Sequence, residues 1–304
     1  MDRDVLVVGE SLVDIVRGAD GSTVEYAGGS AANVAVALAR LGRPVRFATS
    51  YADDERGRPV AAHLDAAGVR LASDPGAVSR TSTALATIGA DGAAHYEFDL
   101  EWRLNPVAEA DPPLVVHTCS LGAVLAPGAD DVLELVTRLR ETSTISYDVN
   151  ARPAITGVGP DVAARVERMA AVSDLVKASD EDLTALYPHL DNLAAARTLL
   201  DLGPAAVVVT RGGDGATWVG TSGEAEIASL PVEVADTIGA GDTFGAALVD
   251  ALWELGRLGA DRRQQLRDLP AEEVADVLAH AARAAAVTVS RPGADPPYRH
   301  ELAD

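Results

Sequence analysis

The 304-residue chain has one cysteine, one lysine and few aromatic residues, and each scarcity excludes something. Cys119 has no partner in the chain, so no internal disulfide forms, and a reducing compartment, the cytoplasm, is the expected location. Its own expected role is that of a small buried apolar residue. With Lys177 as the sole lysine, a phosphate-binding GxxxxGK(S/T) loop is absent, since nothing of that form precedes it. Basic work therefore falls to arginine. No GxGxxG follows the first strand candidate, so a nicotinamide-type site loses its main support. No apolar run is long enough to span a bilayer, and MDRDVLVVGE carries acidic residues straight into a strand rather than a signal peptide. Positive charge is scarce too: 25 Lys and Arg stand against 46 Asp and Glu, a formal net charge of −21. That balance argues against nucleic acid or an anionic membrane surface as a partner.

What the chain does have is apolar material, 48% of its residues, enough to bury a full core. It is taken as a single domain, 1–304. Apolar β-rich runs alternate with alanine-rich helical ones. Strands are expected at 4–8, 45–49, 114–119, 144–149, 174–176 and 206–210, several as near-continuous apolar runs of the kind buried on both faces. Helices are expected at 31–41, 59–67, 129–140, 162–171, 193–202, 243–255 and 271–290, the first with Ser30 as N-cap and Gly42 just past its end. The alternation predicts an α/β fold, a doubly wound, mostly parallel sheet flanked by helices. Two stretches break the rhythm. Residues 12–27 and 83–104 look like strand pairs turning at Asp20-Gly21 and Asp91-Gly92. They hold Tyr26, Tyr96, Phe98 and Trp102, a large share of the aromatics, as a small sheet covering a cleft or making an oligomer contact would. The C-terminal RPGADPPYRHELAD reads as an irregular tail.

The most informative stretch is Asp236-Thr-Ile-Gly-Ala-Gly-Asp242, which breaks into the helix-periodic TFGAALVDALWEL. Gly239, Ala240 and Gly241 let the backbone approach a ligand, and their amides with the helix dipole form an anion site. Asp242 could accept a hydroxyl proton while the amides hold the anion that hydroxyl attacks, as phosphoryl transfer to an alcohol requires. The plain alternative is an aspartate-capped helix start. Gly28-Gly29-Ser30-Ala31-Ala32-Asn33 is a second loop-to-helix junction, where Asn33 can donate to and accept from a polyol. Asp14, beyond the first strand, could accept from two sugar hydroxyls or be a solvated turn residue. Asp148, Asn150 and Arg152 alternate after another strand, with Arg152 a clamp for phosphate oxygens or a partner in a loop salt bridge. The run Val207–Gly215 ends in glycines that either underlie a nucleotide or only turn a hairpin.

Taken together, these motifs resemble the ribokinase-like, or PfkB, carbohydrate kinase family over essentially the whole chain. GGSAANVAVALARLG at 28–42 and DTIGAGDTFGAAL at 236–248 carry most of the likeness. The resemblance implies a doubly wound domain with a β-sheet lid. It makes Asp242 the catalytic base and Gly239, Ala240 and Gly241 the anion hole. Asp14, Gly28, Gly29 and Asn33 would bind sugar, with Asp148, Asn150 and Arg152 at sugar or phosphate and Tyr96 and Phe98 on the lid. Thr210, Gly212 and Gly215 would line the ATP site, with Lys177, Ser179 and, near adenine, His280. The family's N-x-x-E motif, which organises Mg2+ through water, is replaced by Ser179-Asp-Glu-Asp182, leaving Asp182 or Glu181 as the helper. Asp236 matches a position that helps hold a monovalent cation such as K+.

SYDVNARP, VKASDEDL and SRPGADPP look most like the bacterial fructokinase branch, with 2-keto-3-deoxygluconate kinase as the alternative. Glu97, Asp99 and Glu101 in the lid would repel that alternative's carboxylate, which favours a neutral ketose. A sugar-binding regulator that has lost activity is a third reading, favoured by the altered magnesium motif and opposed by the intact Gly-Ala-Gly-Asp. The expected partners are a small sugar and ATP, with a homodimer through the lid.

Overall fold

The apolar runs of the sequence are strands covered on both faces. A computed structural model describes residues 3–18, 21–88, 94–108 and 112–302. In chain order its strands are β1 (Val5–Val8), β2 (Leu12–Arg17), β3 (Thr23–Gly28), β4 (Val45–Ala48), β5 (Arg70–Leu71), β6 (Thr83–Ile88), β7 (Ala94–Asp99), β8 (Val115–Cys119), β9 (Thr144–Asp148), β10 (Leu175–Ser179), β11 (Ala206–Thr210), β12 (Ala216–Gly220) and β13 (Gly223–Ile227). Among the described residues, nine strands form the main sheet in the order β13-β12-β11-β10-β9-β8-β1-β4-β5. It is parallel from β11 to β5, and β12 and β13 add an antiparallel edge. The fold is thus the expected doubly wound α/β sheet.

Alternation along each strand divides the core in two. Val5 and Val7 of β1 face the helices Ser30–Arg40, Ala240–Glu254 and Ala271–Val289. Leu6 and Val8 face the other side, where Val132 and Leu135 of helix Gly128–Leu139, Met169 of helix Pro160–Val172 and Leu199 of helix Asn192–Leu200 pack.

A separate four-stranded sheet, in the order β3-β2-β6-β7, forms the lid. Its inner face, Val13 and Ile15, packs into the core at 1% and 5% exposure. The Asp91-Gly92 turn lies outside the described residues, as does Asp20. Trp102 is not a lid residue. It is buried with the second core cluster and its indole N–H donates to the carbonyl of Gly122 at 3.1 Å.

Other expectations shift. The strand placed at 174–176 runs on to Ser179, and the glycine-ended run at 207–215 both turns a hairpin into β12 and borders a cleft. The first helix begins at Ser30, with Gly29 rather than Ser30 as its N-cap, because the serine side chain is committed elsewhere. The C-terminal tail is irregular but tied down: Arg40 bonds Asp295, Arg299 bonds Asp250 and Leu41, and Arg291 bonds Glu301.

Leu252 is fully buried between the Ala240–Glu254 helix and the sheet. Leu252→Ala is expected to lower unfolding free energy by about 2–5 kcal/mol. Urea unfolding at unchanged slope measures this, and a loss under about 1 kcal/mol would show that the helix does not rest on this contact.

Candidate active site

Strand order reverses between β1 and β8, and a doubly wound sheet opens a crevice at the carboxyl ends of such neighbours. Gly9–Ser11 leave β1 there, Ser120 leaves β8 and Asn150 follows β9. Ser120 and Asn150 both have positive φ, 50° and 37°, a conformation non-glycine residues adopt only when surroundings enforce it. Ser120 Oγ donates to the carbonyl of Asn150 at 3.1 Å, so the two strained residues brace each other.

Two helix N-termini meet at this crevice. The helix Ala240–Glu254 starts after Gly239, whose φ is 74° and whose missing Cβ would lie 2.6 Å from that of Ala294, so only glycine fits. Asp242 sits in the first turn at 6% exposure. Its Oδ1 accepts from Ser30 Oγ at 2.6 Å and its Oδ2 from Asn33 Nδ2 at 2.7 Å, both on the facing helix. Asn150 Nδ2 donates to Ser30 Oγ at 2.8 Å, and Arg152 Nη1 donates to Asn150 Oδ1 at 2.6 Å. The sequence marks Ser30 only as a helix cap, since no local pattern signals a bond to a residue more than two hundred positions away.

Beneath the glycine loop lies a buried ion pair. Lys177 Nζ donates to Asp148 Oδ2 at 2.9 Å, and a Cβ on Gly241 would come within 3.4 Å of the ammonium. Burial pushes Asp148 up to about 6 against the attraction of Lys177. Burial pulls Lys177 down, but Asp148, Asp182 and Asp242 together raise it, so it stays charged. The expected grouping of Asp148 with Asn150 and Arg152 is therefore corrected. The left-handed turn at Asn150 breaks the alternation, and Asp148 points inward at 1% exposure.

On the lid side, Glu10 Oε2 accepts the amide of Gly122 at 2.7 Å. Burial raises Glu10 to about 7, with the charge of Asp242 adding and Arg152 opposing. Burial likewise raises Asp14 to about 6, with the same two neighbours acting in the same senses. Side chains at 28 and 29 would strike Asp14 Oδ2 at 2.4 Å and the carbonyl of Glu10 at 2.9 Å, which is why this approach is glycine twice.

The register of the lid settles which residues share a face. Asp14 pairs with Tyr26 and Ala84, and Ala84 pairs with Phe98; Val16, Val24, Ala86 and Tyr96 form the next row. Tyr96 and Phe98 stack at 6.1 Å on this face. Glu97 and Asp99 lie on the opposite face, opposite Leu85 and Thr83, and Asp99 and Glu101 pair with Arg80. The acids expected to repel a charged substrate thus point away from the Asp14 face.

On the far side of the glycine loop opens a cleft of about 720 Å3. Lys177, Ser179, Glu181, Asp182, Thr210, Gly212, Gly215, Gly241 and Arg152 line it, with Leu230, Val232 and Val234 as an apolar wall. The wall is legible in the sequence only as the alternation of Leu230, Val232 and Val234, all exposed. Ser179 and Asp182 form a reciprocal capping box: Ser179 Oγ accepts from Asp182 N at 3.0 Å and Asp182 Oδ2 from Ser179 N at 2.8 Å. Asp182 Oδ1 also accepts the amide of Ala151 at 2.7 Å. Asp236 holds its own loop, accepting from Ile238 N at 3.0 Å and Gly293 N at 2.9 Å, and these bonds lower its pKa, Ile238 foremost. His280 does not border the cleft. Its Nε2 lies 2.9 Å from fully buried Asp250, which also accepts from Arg43 and Arg299.

The chain belongs to the pfkB family of carbohydrate kinases, whose pattern matches residues 2–301. It is 34% identical over 260 residues to a fructokinase of Rhizobium leguminosarum bv. trifolii, covering 82% of this chain and 79% of that protein. Fructokinase from Xylella fastidiosa with bound ATP superimposes with a TM-score of 0.84 at 25% identity, covering 99% of this chain and 97% of that one. Aminoimidazole riboside kinase from Salmonella enterica, complexed with aminoimidazole riboside and an ATP analog, gives a TM-score of 0.79 at 25% identity and 98% of both chains. The ribokinase-like fold expected from the motifs is present.

Removing one member of a buried ion pair costs more than the pair contributes, because the other charge is left stranded. Lys177→Met is expected to lower stability by about 3 kcal/mol at pH 8. A carboxylate whose folded pKa is raised binds protons more readily folded than unfolded, so its penalty grows with pH above the unfolded value of 3.8. The loss should therefore shrink at pH 5, where stranded Asp148 takes a proton. Equal losses at both pH values, read from urea midpoints, would show that Asp148 is not the group left behind.

Proposed function

We propose that this carbohydrate kinase transfers the γ-phosphoryl group of ATP to a primary hydroxyl of fructose. The observation that carries the reading is the place of Asp242, on the first turn of a helix between a cleft of nucleotide size and the carboxyls of Glu10 and Asp14. The hydroxyl oxygen attacks the γ-phosphorus as the bond to the ADP oxygen breaks, and Asp242 takes the hydroxyl proton. The amides of Gly239, Ala240 and Gly241, the helix dipole and Lys177 stabilise the charge in transfer. Asp14, Gly28, Gly29 and Asn33 hold the sugar, Arg152 clamps phosphate oxygens, and Thr210, Gly212 and Gly215 lie along the nucleotide. The ATP found in the Xylella fastidiosa relative supports that assignment.

Asp182 and Glu181 fit a magnesium helper. Both border the cleft, and each oxygen of Asp182 spends one acceptor site on a backbone amide and keeps another free. They would reach Mg2+ through water, and the ion would neutralise phosphate charge. Asp236 is proposed to order its loop beside a monovalent cation such as K+. The exposed residues of the lid face, Val16, Val24, Tyr26 and Tyr96, are the surface through which a homodimer would form. The cytoplasm, where ATP is available, is the proposed location.

Preference for a neutral sugar rests on Glu10, Asp14 and Asp242 around the pocket rather than on the lid acids. The likeness to fructokinases favours fructose over 2-keto-3-deoxygluconate, and aminoimidazole riboside is the competing neutral substrate. With ATP and Mg2+, fructose is expected to give the highest kcat/KM of the three. Preference for either rival overturns the choice of fructose and leaves the kinase standing; binding of a sugar without any transfer would point to a regulator instead. Asp242→Asn keeps the shape but cannot take the proton, and turnover is expected to fall about 10²–10⁴-fold with nucleotide affinity unchanged. More than a tenth of wild-type turnover in this variant would sink the assignment of the base.

Asp14 should leave a signature in pH. Its folded pKa of about 6 means that it is a charged acceptor above that value and a protonated acid below it. KM for the sugar is expected to rise as pH falls from 7 to 5, and Asp14→Asn should flatten that rise. An equally steep rise in the variant would move the effect to another group.

A further inference from the structure

We infer that Ser30 is a positioning residue for the base, gripping Oδ1 of Asp242 so that Oδ2 is the oxygen that receives the substrate proton. The inference rests on Asp242 being the base. A carboxylate on a helix's first turn has a soft terminal torsion, and the helix's own amides compete for it as a cap. Something outside the helix must fix its plane. Ser30, the first residue of the facing helix and 7% exposed, places its hydroxyl 2.6 Å from Oδ1.

The bonds behind it fix the direction of that hydroxyl. Arg152 only donates, and its Nη1 donates to Asn150 Oδ1; this leaves the Asn150 amide nitrogen as the donor to Ser30 Oγ at 2.8 Å. Ser30 Oγ accepts from Asn150, and its single proton points at Asp242. The Asn150 amide also lies 3.4 Å from the same Oδ1. A guanidinium, an amide and a hydroxyl thus converge in one chain on one carboxylate oxygen. The left-handed backbone of Asn150, braced by Ser120, is the conformation that aims the amide there.

The other oxygen is held differently. Oδ2 accepts from Asn33, a half-buried side chain at the sugar side of the crevice. An incoming hydroxyl can take the place of Asn33 on Oδ2 and leave the Ser30 bond intact. One oxygen anchors and the other reacts.

The test uses full-length Ser30→Ala, Asn150→Ala, the double variant and Asp242→Asn, with ATP, Mg2+ and the sugar turned over fastest in the panel above. Ser30→Ala keeps a helix-compatible residue of nearly the same size. It is expected to lower kcat about tenfold, the loss typical of a bond to a charged group, with both KM values within about twofold of wild type. The acidic limb of its kcat–pH profile should move to higher pH, since losing a hydroxyl donor disfavours the charged form of a carboxylate. A fold defect would not move that limb. The double variant should be no worse than the poorer single variant by more than about threefold, because the two residues act in series. Wild-type kcat and pH profile in Ser30→Ala, with Asp242→Asn inactive, would overturn the positioning role alone. Activity in Asp242→Asn would overturn the base assignment and this inference with it.

Discussion

A carboxylate shared between two facing helix N-termini is the constraint on which the rest of the structure depends. Neither helix end has a side-chain cap, each brings a positive dipole end, and Asp242 on one is gripped by Ser30 and Asn33 of the other. The arrangement works only if the two helices keep their relative positions, and the C-terminal tail does much of that work. Asp250, fully buried two turns along from Asp242, accepts from Arg43 of the loop after the first helix and from Arg299 of the tail. Removing a partner from a buried cluster of this kind costs about 3–5 kcal/mol, whereas an exposed pair such as Arg138–Glu134 contributes about 0.3–0.5. The Asp250 cluster therefore governs the geometry and the surface pairs do not. The same tail packs Ala294 against Gly239 and donates Gly293 N to Asp236, so helix spacing and anion loop are set by one segment.

The charge arrangement follows from the composition. In a chain of net charge −21 with one lysine, backbone amides and Arg152 would share the work of holding a polyanion. Its single ammonium is spent under the loop. A Cβ at Gly241 would lie 3.4 Å from Lys177 Nζ, and one at Gly245, a turn further on, 3.8 Å from Asp148 Oδ2. The ion pair is thus a dipole running along the helix, positive end at the helix N-terminus. That orientation opposes its own stability, since a cation sits where the helix dipole is already positive. An anion at the loop relieves both at once. A site preloaded this way would favour an anion more than its modest number of cations suggests.

Much of this was legible in local sequence, and the limits have physical causes. Gly239–Asp242 and Gly28–Asn33 announce themselves because each job is done by neighbouring residues on one turn. Most element ends differ by one or two residues, as frayed ends do, while the Ala240–Glu254 helix starts three residues before 243 and β10 runs three past 176. His280 lies away from the cleft because of helix phase. Ala282, Ala285, Ala286 and Val289 line the cleft, and two residues before Ala282 a side chain has rotated by about 200° to face Asp250. Ser30 and Glu10 were missed because their partners, Asp242 and Gly122, lie over two hundred and over one hundred positions away. The reciprocal Ser179–Asp182 cap is legible in the spacing of a serine and an acid three residues on.

Strand register, invisible before pairing is known, also moved the argument about substrate charge. With Glu97 and Asp99 turned away, the acids that an acidic sugar would meet besides Asp242 are Glu10 and Asp14. Full Coulomb repulsion at about 7 Å and an effective dielectric near 20 would be roughly 2 kcal/mol per charge. These carboxylates need not remain charged, however. Asp14, with a pKa of about 6, can take a proton at pH 7 for about 1.4 kcal/mol, and Glu10, near 7, for less. Proton uptake therefore limits what repulsion by Asp14 can achieve to about tenfold, and by Glu10 to still less. Arg152, which faces both, reduces it further. Any sharper preference for one sugar would come from shape and from hydrogen bonding at Asn33, because those contacts cannot be cancelled by a proton.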